Sequence, residues 1–258
     1  TIPNEWERLA PVNIGYTAGI EATKVSPQWI EKASIMEKII VVSNHSKQIY
    51  NNTIIEATNN RTGETHEFKN ETPIDVVNYP VRSLEQEPLD INLEYDFNFL
   101  SVAQMGPRKN LDNTLKWFLE EFHDDEVGLV MKTNFANCST GDRIQCTDHI
   151  TNLVKQFPNK KCKIYLLHGD LSLKQMNFLY AHPKVKSYVT FTHGEGFGMP
   201  IFESAYHGVP IIAPQWSGQC DFLHAPVISG KRKTPKMKPL FCKVDYIIAP
   251  IPQESVWE

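Results

Sequence analysis

The stretch Phe191-Thr-His-Gly-Glu-Gly-Phe-Gly-Met-Pro-Ile-Phe-Glu203 decides the fold of this 258-residue chain. It continues an apolar, strand-like run at residues 187–192. Pro200 suits the first turn of a helix, because the N–H that proline lacks would be unpaired there. Gly208 predicts the end of that helix before a further apolar run at residues 209–214. The predicted order is therefore strand, glycine-rich loop, short helix and strand.

The residue types of this loop predict a ligand that carries a diphosphate and sugar hydroxyls. Three glycines, at positions 194, 196 and 198, allow a backbone to approach a ligand closely, although glycines alone more often make a tight turn. The helix N-terminus offers unpaired N–H groups and a partial positive charge, which suit a diphosphate. Glu195 lies in the loop, and Glu203 lies about 5 Å further along the helix axis. Carboxylates accept hydrogen bonds from vicinal hydroxyls, so the pattern describes a nucleotide-sugar site.

The second half of the chain alternates regularly between strand and helix patterns. Strands are predicted at residues 98–103, 127–132, 163–167, 187–192 and 209–213, and helices at 111–122, 147–157 and 172–180. Such alternation predicts a parallel, doubly wound sheet. Ligands bind such sheets at the carboxyl ends of the strands, where the glycine-rich loop falls.

The first 80 residues show a less regular alternation. Strands are predicted at residues 13–17, 38–43 and 74–79, helices at 28–36 and 45–50 with Asn44 as the N-cap, and a polar, turn-rich stretch at 57–72. The following Pro-containing stretch reads as a linker. We therefore predict a first domain at 1–80, a linker at 81–96 and a second domain at 97–258.

The signature stretch carries a family resemblance. The sequence Glu195-Gly-Phe-Gly-Met-Pro-Ile-Phe-Glu-Ser-Ala-Tyr-His-Gly-Val-Pro210 resembles the E-x7-E signature of retaining GT-B glycosyltransferases of family 4 (group 1), approximately E-G-F-G-x-P-x-x-E-A-x-x-x-G-x-P-V. The resemblance implies an α/β fold of GT-B type, with a Rossmann-like C-terminal donor domain and a partial Rossmann-like N-terminal acceptor-side domain. Since the first strands of that N-terminal domain have no counterpart and Thr1 is not a methionine, we expect a fragment of a longer enzyme.

A second stretch, Phe99-Leu-Ser-Val-Ala-Gln-Met-Gly-Pro-Arg-Lys-Asn-Leu111, resembles the family pattern S-V-G-R-L-x-x-x-K-N-L. Lys109 matches the lysine that binds the donor phosphates, which makes it a catalytic candidate together with Glu195. Gln104 stands where the family has an arginine, which is a departure. Arg108 is a candidate for the second positive charge, and the alternative is that Arg108 and Lys109 are exposed residues at a helix start.

The resemblance assigns the remaining candidates to the donor and acceptor sides. Glu195 is expected to contact hydroxyls of the donor sugar and Glu203 the nucleotide ribose. The full donor-binding set is Arg108, Gln104, His193, Gly194, Gly196, Phe197, Gly198, Glu203, Ser217 and Gly218, and the acceptor-side candidates are Glu21 and His45. The loop at 168–170 is expected near the nucleotide base or is structural, and Asp221 is expected to cap a helix rather than to contact a ligand.

Composition excludes several other classes of function. The net charge of −4 gives no electrostatic case for a nucleic-acid partner, and no apolar run predicts a transmembrane segment. Five cysteines without a CxxC pair predict neither a zinc site nor a disulfide framework, which favours the cytoplasm. The basic run at 231–238 reads as a solvated loop, with contact to phosphate, an acidic glycan or a membrane surface as the alternative. Acidic residues 124–126 read as solvated rather than as a metal site. The family resemblance implies transfer without a metal ion, with Lys109 and helix N-terminal amides in the role of the cation, and no cofactor is expected.

We therefore expect a metal-independent glycosyltransferase that moves a sugar from a nucleotide-sugar to an unknown glycan, lipid or protein acceptor with retention of configuration. Homo-oligomerisation stays open. Two alternative functions also remain open. One is another GT-B enzyme, such as a nucleotide-sugar epimerase or a phosphorylase. The other is a fragment that binds nucleotide-sugar without turning it over.

Overall fold

The computed structural model describes residues 2–58, 61–82, 84–228 and 234–252. It divides into two compact units. The first contains Thr1–Pro80 together with two later segments, Gly194–Gly198 and Trp216–Phe222, and the second contains the rest of the chain. No helix in the described ranges is long and apolar enough to cross a membrane. The domain ranges inferred from the sequence stay a prediction.

The elements follow one another in an order that is mostly alternating. The strands are β1 Ile14–Thr17, β2 Lys38–Val41, β3 Ile54–Thr58, β4 Thr65–Lys69, β5 Ile74–Val76, β6 Asn98–Val102, β7 Gly128–Lys132, β8 Lys163–Leu167, β9 Val185–Val189, β10 Ile211–Pro214, β11 His224–Val227, β12 Lys236–Pro239 and β13 Cys242–Val244. The α-helices are α1 Pro27–Ala33, α2 Asn44–Asn52, α3 Leu111–Glu121, α4 Thr140–Val154, α5 Leu173–Tyr180, α6 Met199–Tyr206 and α7 Cys220–Leu223. Short 3₁₀ turns lie at Pro3–Glu5 and Pro107–Lys109.

The first unit is built on a parallel sheet in the order β1-β2-β5. In the central strand β2, Ile39 and Val41 are fully buried, whereas Lys38 and Ile40 are half-buried. Trp6, Ile49 and Tyr50 complete the core cluster around it. This sheet with its flanking helices is a partial Rossmann-like domain, as predicted.

Two details of this unit differ from the sequence prediction. Helix α2 is capped by Ser43, whose Oγ accepts a hydrogen bond from the N–H of Ser46 at 3.2 Å, and the predicted cap Asn44 is the first helical residue. The stretch predicted as polar and turn-rich forms the antiparallel hairpin β3–β4. Strand β4 is exposed along its whole length, so the sequence lacks the alternation of apolar and polar residues that reveals a half-buried strand.

The second unit contains a six-stranded parallel sheet in the order β13-β10-β9-β6-β7-β8. When only the six strands of this sheet are numbered along the chain, the order is 6-5-4-1-2-3, the doubly wound Rossmann arrangement. Its core includes Phe99, Leu115, Leu119 and Leu129. The predicted parallel, doubly wound sheet is confirmed. The connection direction reverses between β6 and β9, which defines the switch point of the sheet.

Element boundaries in this unit are partly as predicted. Gly208 has a φ of +78°, and the N–H of Val209 bonds the carbonyl of Ser204 at 3.1 Å, so α6 ends as expected. Helix α4 begins at Thr140 rather than at residue 147, because Ser139 caps it, and its sparse buried positions give a weak apolar period. Strands β11 to β13 were not predicted. Lys231, Arg232 and Lys233 of the basic run lie outside the described residues.

Candidate functional site

In the second unit, the loops that follow β6 and β9 meet at the switch point of the sheet. The carbonyl oxygen of Arg108 accepts hydrogen bonds from the N–H of His193 at 2.8 Å and from Oγ1 of Thr192 at 3.2 Å. The side-chain amide of Asn110 donates to the carbonyl of Phe191 at 3.0 Å. The structure thus brings together the backbones of Arg108 and His193, two residues predicted to contact a donor. Ligands bind doubly wound sheets at this place.

The β6 loop is shaped by its backbone. A 3₁₀ turn covers Pro107–Lys109, and Asn110 has a φ of +54°, a conformation that asparagine tolerates better than most residues. Arg108 is exposed and Lys109 is half-buried. Gln104, at the position of the family arginine, donates from Nε2 to the carbonyl oxygen of Phe135 at 2.6 Å. Its side chain therefore joins the β6 loop to the β7 loop.

Glu203, on α6, has its own set of partners. Its Oε2 accepts a hydrogen bond from the hydroxyl of Tyr180 at 3.1 Å, and Nη2 of Arg82 lies 3.9 Å from Oε1. Burial raises the pKa of the Tyr180 phenol well above its ordinary value, so this group stays a neutral donor. The Glu203 side chain is 22% exposed. Because a carboxylate has about four acceptor positions, Glu203 retains capacity for ligand hydroxyls.

In the first unit, Glu195 is fixed through its peptide groups. Its N–H donates to Oγ of Ser217 at 2.9 Å, and its carbonyl accepts from the N–H of Gly218 at 2.8 Å. The Ser217 hydroxyl donates in turn to Oε1 of the buried Gln219 at 2.8 Å. Ser217 has a φ of +69°, a strained conformation of a kind that concentrates at functional sites. The signature loop and the segment after β10 therefore form one hydrogen-bonded cluster.

The glycines of this cluster are required by packing against backbone. A Cβ on Gly194 would overlap the carbonyl oxygen of Glu21, and a Cβ on Gly196 would overlap that of Ala18. A Cβ on Gly218 would overlap the carbonyl oxygen of Gly196. The sequence reasoning assigned this close approach to a ligand, whereas the structure shows that the segment after β1 occupies it. Gly198, with a φ of +92°, supplies the left-handed turn.

The ring of Phe197 belongs to an aromatic cluster. Phe197 is 4% exposed, and its ring centroid lies 5.3 Å from that of Tyr79 and 5.0 Å from that of Phe222. These contacts account for the aromatic side chain. A donor contact at this position would therefore use the backbone.

The acceptor-side candidates lie near the same cluster. Glu21 is half-buried, and its carbonyl oxygen faces Gly194. The imidazole of His45 packs edge-on against Trp216 with centroids 4.8 Å apart, and its buried Nε2 has no hydrogen-bond partner among the residues that the structure describes. Burial lowers the pKa of His45, and the charge of Asp221 and a backbone hydrogen bond with Ala22 oppose that shift. Burial therefore favours the neutral form of the imidazole.

Asp221, which was expected to cap a helix, contacts the start of α2. Its Oδ2 accepts from the N–H of Asn44 at 2.8 Å and from the Asn44 side-chain amide at 3.1 Å. The N–H of Asn44 is one of the groups that helix α2 leaves unpaired at its start. Asp221 therefore caps α2 and not its own helix, α7. No sequence spacing could indicate this pair, which is 177 residues apart.

The comparisons with known proteins identify the fold. No protein-family model and no curated protein sequence matches the chain. Among solved structures, an E. coli trehalose-6-phosphate protein bound with UDP-2-fluoro glucose matches 81% of this chain and 54% of its own, with a TM-score of 0.56 and 12% identity. A glycosyltransferase from Rickettsia africae matches 80% of this chain and 52% of its own, with a TM-score of 0.55 and 16% identity.

A third solved structure has the same fold. A variant of S. aureus TarM in complex with fondaparinux, alpha-GlcNAc-glycerol and UDP matches 83% of this chain and 39% of its own, with a TM-score of 0.51 and 13% identity. The chain thus spans about half, or less, of the length of these structures. At such identities the similarity shows the fold alone, which is of GT-B type.

Proposed function

We propose that this chain belongs to a retaining glycosyltransferase that transfers a sugar from a nucleoside-diphosphate sugar to an acceptor hydroxyl. The observation that carries the proposal is the fixed signature loop, in which Glu195 is locked by Ser217 and Gly218 on a GT-B fold. A loop held in this way fixes the direction in which the Glu195 side chain leaves the backbone, which is part of the preorganisation that binding and catalysis require. Because the chain spans about half of its structural neighbours, the activity is proposed for the whole protein to which it belongs.

Each charged candidate has a proposed task. Lys109 and Arg108 would neutralise the negative charge that grows on the departing diphosphate. Glu203, already oriented by Tyr180, would accept hydrogen bonds from the ribose hydroxyls. Glu195 would bind hydroxyls of the transferred sugar, and the amides of the signature loop would bind phosphate. With cations and amides in these roles, the proposed reaction needs no metal ion.

The proposed reaction follows the leaving-group-assisted mechanism suggested by the family resemblance. The bond between the anomeric carbon and the diphosphate oxygen breaks, and the acceptor oxygen attacks the anomeric carbon from the same face. The proton of the acceptor hydroxyl passes to the departing phosphate oxygen. Configuration is retained without an enzymatic nucleophile.

The test is the release of nucleoside diphosphate from UDP-, GDP- and ADP-sugars, with and without a chelator. The expected result is chelator-resistant release that falls at least about a hundredfold in Glu195→Ala, because an interaction that acts in the transition state is lost. Unchanged turnover in Glu195→Ala would contradict the assignment. Product analysis separates the other GT-B enzymes, since an epimerase forms a new nucleotide-sugar without an acceptor and a phosphorylase consumes free phosphate.

A second candidate is a chain that binds nucleotide-sugar without turnover. It is favoured by Gln104, which replaces a cation of the family pattern and uses its amide on Phe135. Under this alternative, diphosphate binding persists while no release of diphosphate is measured.

A further inference from the structure

The second unit contains a buried carboxylate, Asp142, which gathers hydrogen bonds from several segments. Its Oδ1 accepts from the N–H of Phe135 at 3.0 Å and pairs with Nε2 of His168 at 2.8 Å. Its Oδ2 accepts from the N–H groups of Ala136 at 2.7 Å and Asn137 at 3.0 Å. Asp142 is 7% exposed, and the His168 side chain is 3% exposed.

This hub lies among the loops at the carboxyl edge of the sheet. Phe135, Ala136 and Asn137 follow β7, and His168 directly follows β8. The β6 loop joins the same network, because Gln104 donates to the carbonyl of Phe135 at 2.6 Å and Met105 donates its N–H to the carbonyl of Asn134 at 2.7 Å. Three consecutive loops are thus tied together, and the first of them carries Arg108 and Lys109.

The hub is charged and fully bonded. Burial opposes ionisation of Asp142, but the N–H groups of Ala136 and Asn137 and the imidazole of His168 outweigh it and lower the pKa of the carboxyl below its usual range. An ionised carboxylate only accepts hydrogen bonds, so Nε2 of His168 must carry the proton that it shares. Loss of one of these hydrogen bonds would leave a buried charge incompletely paired, which costs free energy. Each loop therefore stabilises the others through Asp142.

The donor set also raises the question of a metal ion. Asp142, Cys146 and His168 offer ligand atoms that all lie within 4.8 Å of one another. However, His168 and the backbone amides already occupy both carboxylate oxygens, and the thiol of Cys146 lies 3.5 Å from Oδ1 as a further donor. Burial, together with this hydrogen bond, raises the pKa of Cys146 to about 11, which disfavours the thiolate that binds metals. The cluster is therefore satisfied without a cation.

We infer that Asp142 is the positioning residue of the proposed donor site, and that Gln104 acts with it by tying the β6 loop to the Phe135 loop instead of binding phosphate. This inference rests on the proposed function. Its consequence is that the geometry of Lys109 and Arg108 depends on a carboxylate that touches no ligand. The arginine of the family pattern is replaced here by a residue that orders the loop.

The test measures loop protection and nucleotide affinity in the same variants. In Asp142→Asn the side-chain NH₂ group is a donor and would face backbone N–H groups, which are also donors. Those hydrogen bonds would be lost, so amide hydrogen exchange at residues 135–137 is expected to accelerate. Gln104→Ala changes an exposed side chain and removes one hydrogen bond, so its melting temperature is expected to fall by no more than about 4 °C. Calorimetry of Gln104→Ala with UDP, GDP and ADP is expected to show affinity for the bound diphosphate about three- to tenfold weaker, the scale of one hydrogen bond.

Two further variants sharpen the test. His168→Gln keeps a donor for Asp142 and is expected to restore most of the affinity that His168→Ala loses. Asp124→Asn is the matched control, because His123 and Asp124 form a pair of the same 2.8 Å length whose carboxylate is 84% exposed. Asp124→Asn is expected to change neither exchange at residues 135–137 nor affinity.

Several results would overturn the inference. If amide hydrogen exchange at residues 135–137 is as slow in Asp142→Asn as in the wild type, the inference is overturned, whether or not the protein binds a nucleotide. Wild-type affinity in Gln104→Ala would overturn it as well. A third result would replace the positioning role of Asp142 with a metal site. In that case the wild type binds one equivalent of Zn²⁺, and the Cys146→Ser variant binds none. If the wild type binds no diphosphate, the proposed function fails, and the exchange measurement alone decides whether Asp142 positions the loops.

Discussion

Glu195 and Ser217 stand 22 positions apart in the chain, and the N–H of Glu195 donates to the Ser217 hydroxyl at 2.9 Å. The neighbouring N–H of Gly218 returns a hydrogen bond to the carbonyl of Glu195 at 2.8 Å. Both peptide groups around Glu195 are therefore fixed by the segment that follows β10. This arrangement sets the starting direction of the side chain without depending on a flexible loop, which is what a preorganised site needs.

Gly196→Ala tests the backbone packing of the signature loop. The added methyl would overlap the carbonyl oxygen of Ala18, and backbone cannot move aside as a flexible side chain can. We expect a loss of about 1–3 kcal/mol in the free energy of unfolding, measured by urea denaturation. Gly19→Ala is the control, because its methyl would meet only the side chain of Glu21 at an ordinary contact distance. Equal stability of the two variants would contradict this account of the loop.

Tyr180→Phe tests the hydrogen bond that orients Glu203. The substitution removes the hydroxyl that Oε2 of Glu203 accepts from and leaves the packing of the ring unchanged. We expect a loss of about 1 kcal/mol in the free energy of unfolding and weaker binding of a nucleoside diphosphate. Tyr206→Phe is the control, because Tyr206 lies on the same helix as Glu203 and is exposed. A Tyr180→Phe variant with wild-type affinity and stability would show that the bond does not matter.

His45 predicts a dependence of stability on pH. Burial lowers its pKa below the ordinary value of 6.5, so the unfolded chain binds this proton more readily than the folded one. Stability therefore falls as the pH drops below about 6.5 towards the folded-state pKa, and it is fully present above that range. We expect His45→Gln to flatten the pH dependence of the free energy of unfolding between about pH 5 and pH 7. An unchanged slope would mean that His45 titrates normally in the fold.

Much of the architecture follows from local sequence patterns. The regular alternation of strand and helix patterns in the second half of the chain predicts the parallel sheet, and Gly208 predicts the end of α6 because its left-handed backbone favours glycine. Where the pattern is weak, prediction fails for a physical reason. The hairpin β3–β4 is largely exposed, so its sequence has no need to alternate apolar and polar residues. Helix α4 has few buried residues, so the Ser139 cap is the main local sign of where it begins.

The candidate site is less accessible to sequence reasoning than the fold. Glu195 and Glu203 can be recognised from the sequence because both lie in one short motif around the glycines. Their partners Ser217 and Tyr180 are 22 and 23 positions away, and they become neighbours only when the strands pair. The position of Asp142 in the first turn of α4 signals helix capping, but nothing local indicates that His168 will meet it.

The most direct test of the central claim is calorimetric titration of the protein with UDP, GDP and ADP, alone and as their sugar conjugates. The account predicts saturable binding of one nucleoside diphosphate, weakened at least about tenfold by Lys109→Ala and by Glu203→Ala, because each removes a charged contact to the ligand. Binding that both variants leave unchanged, or no binding of any of these nucleotides, would contradict the assignment of this chain to a nucleotide-sugar-dependent glycosyltransferase.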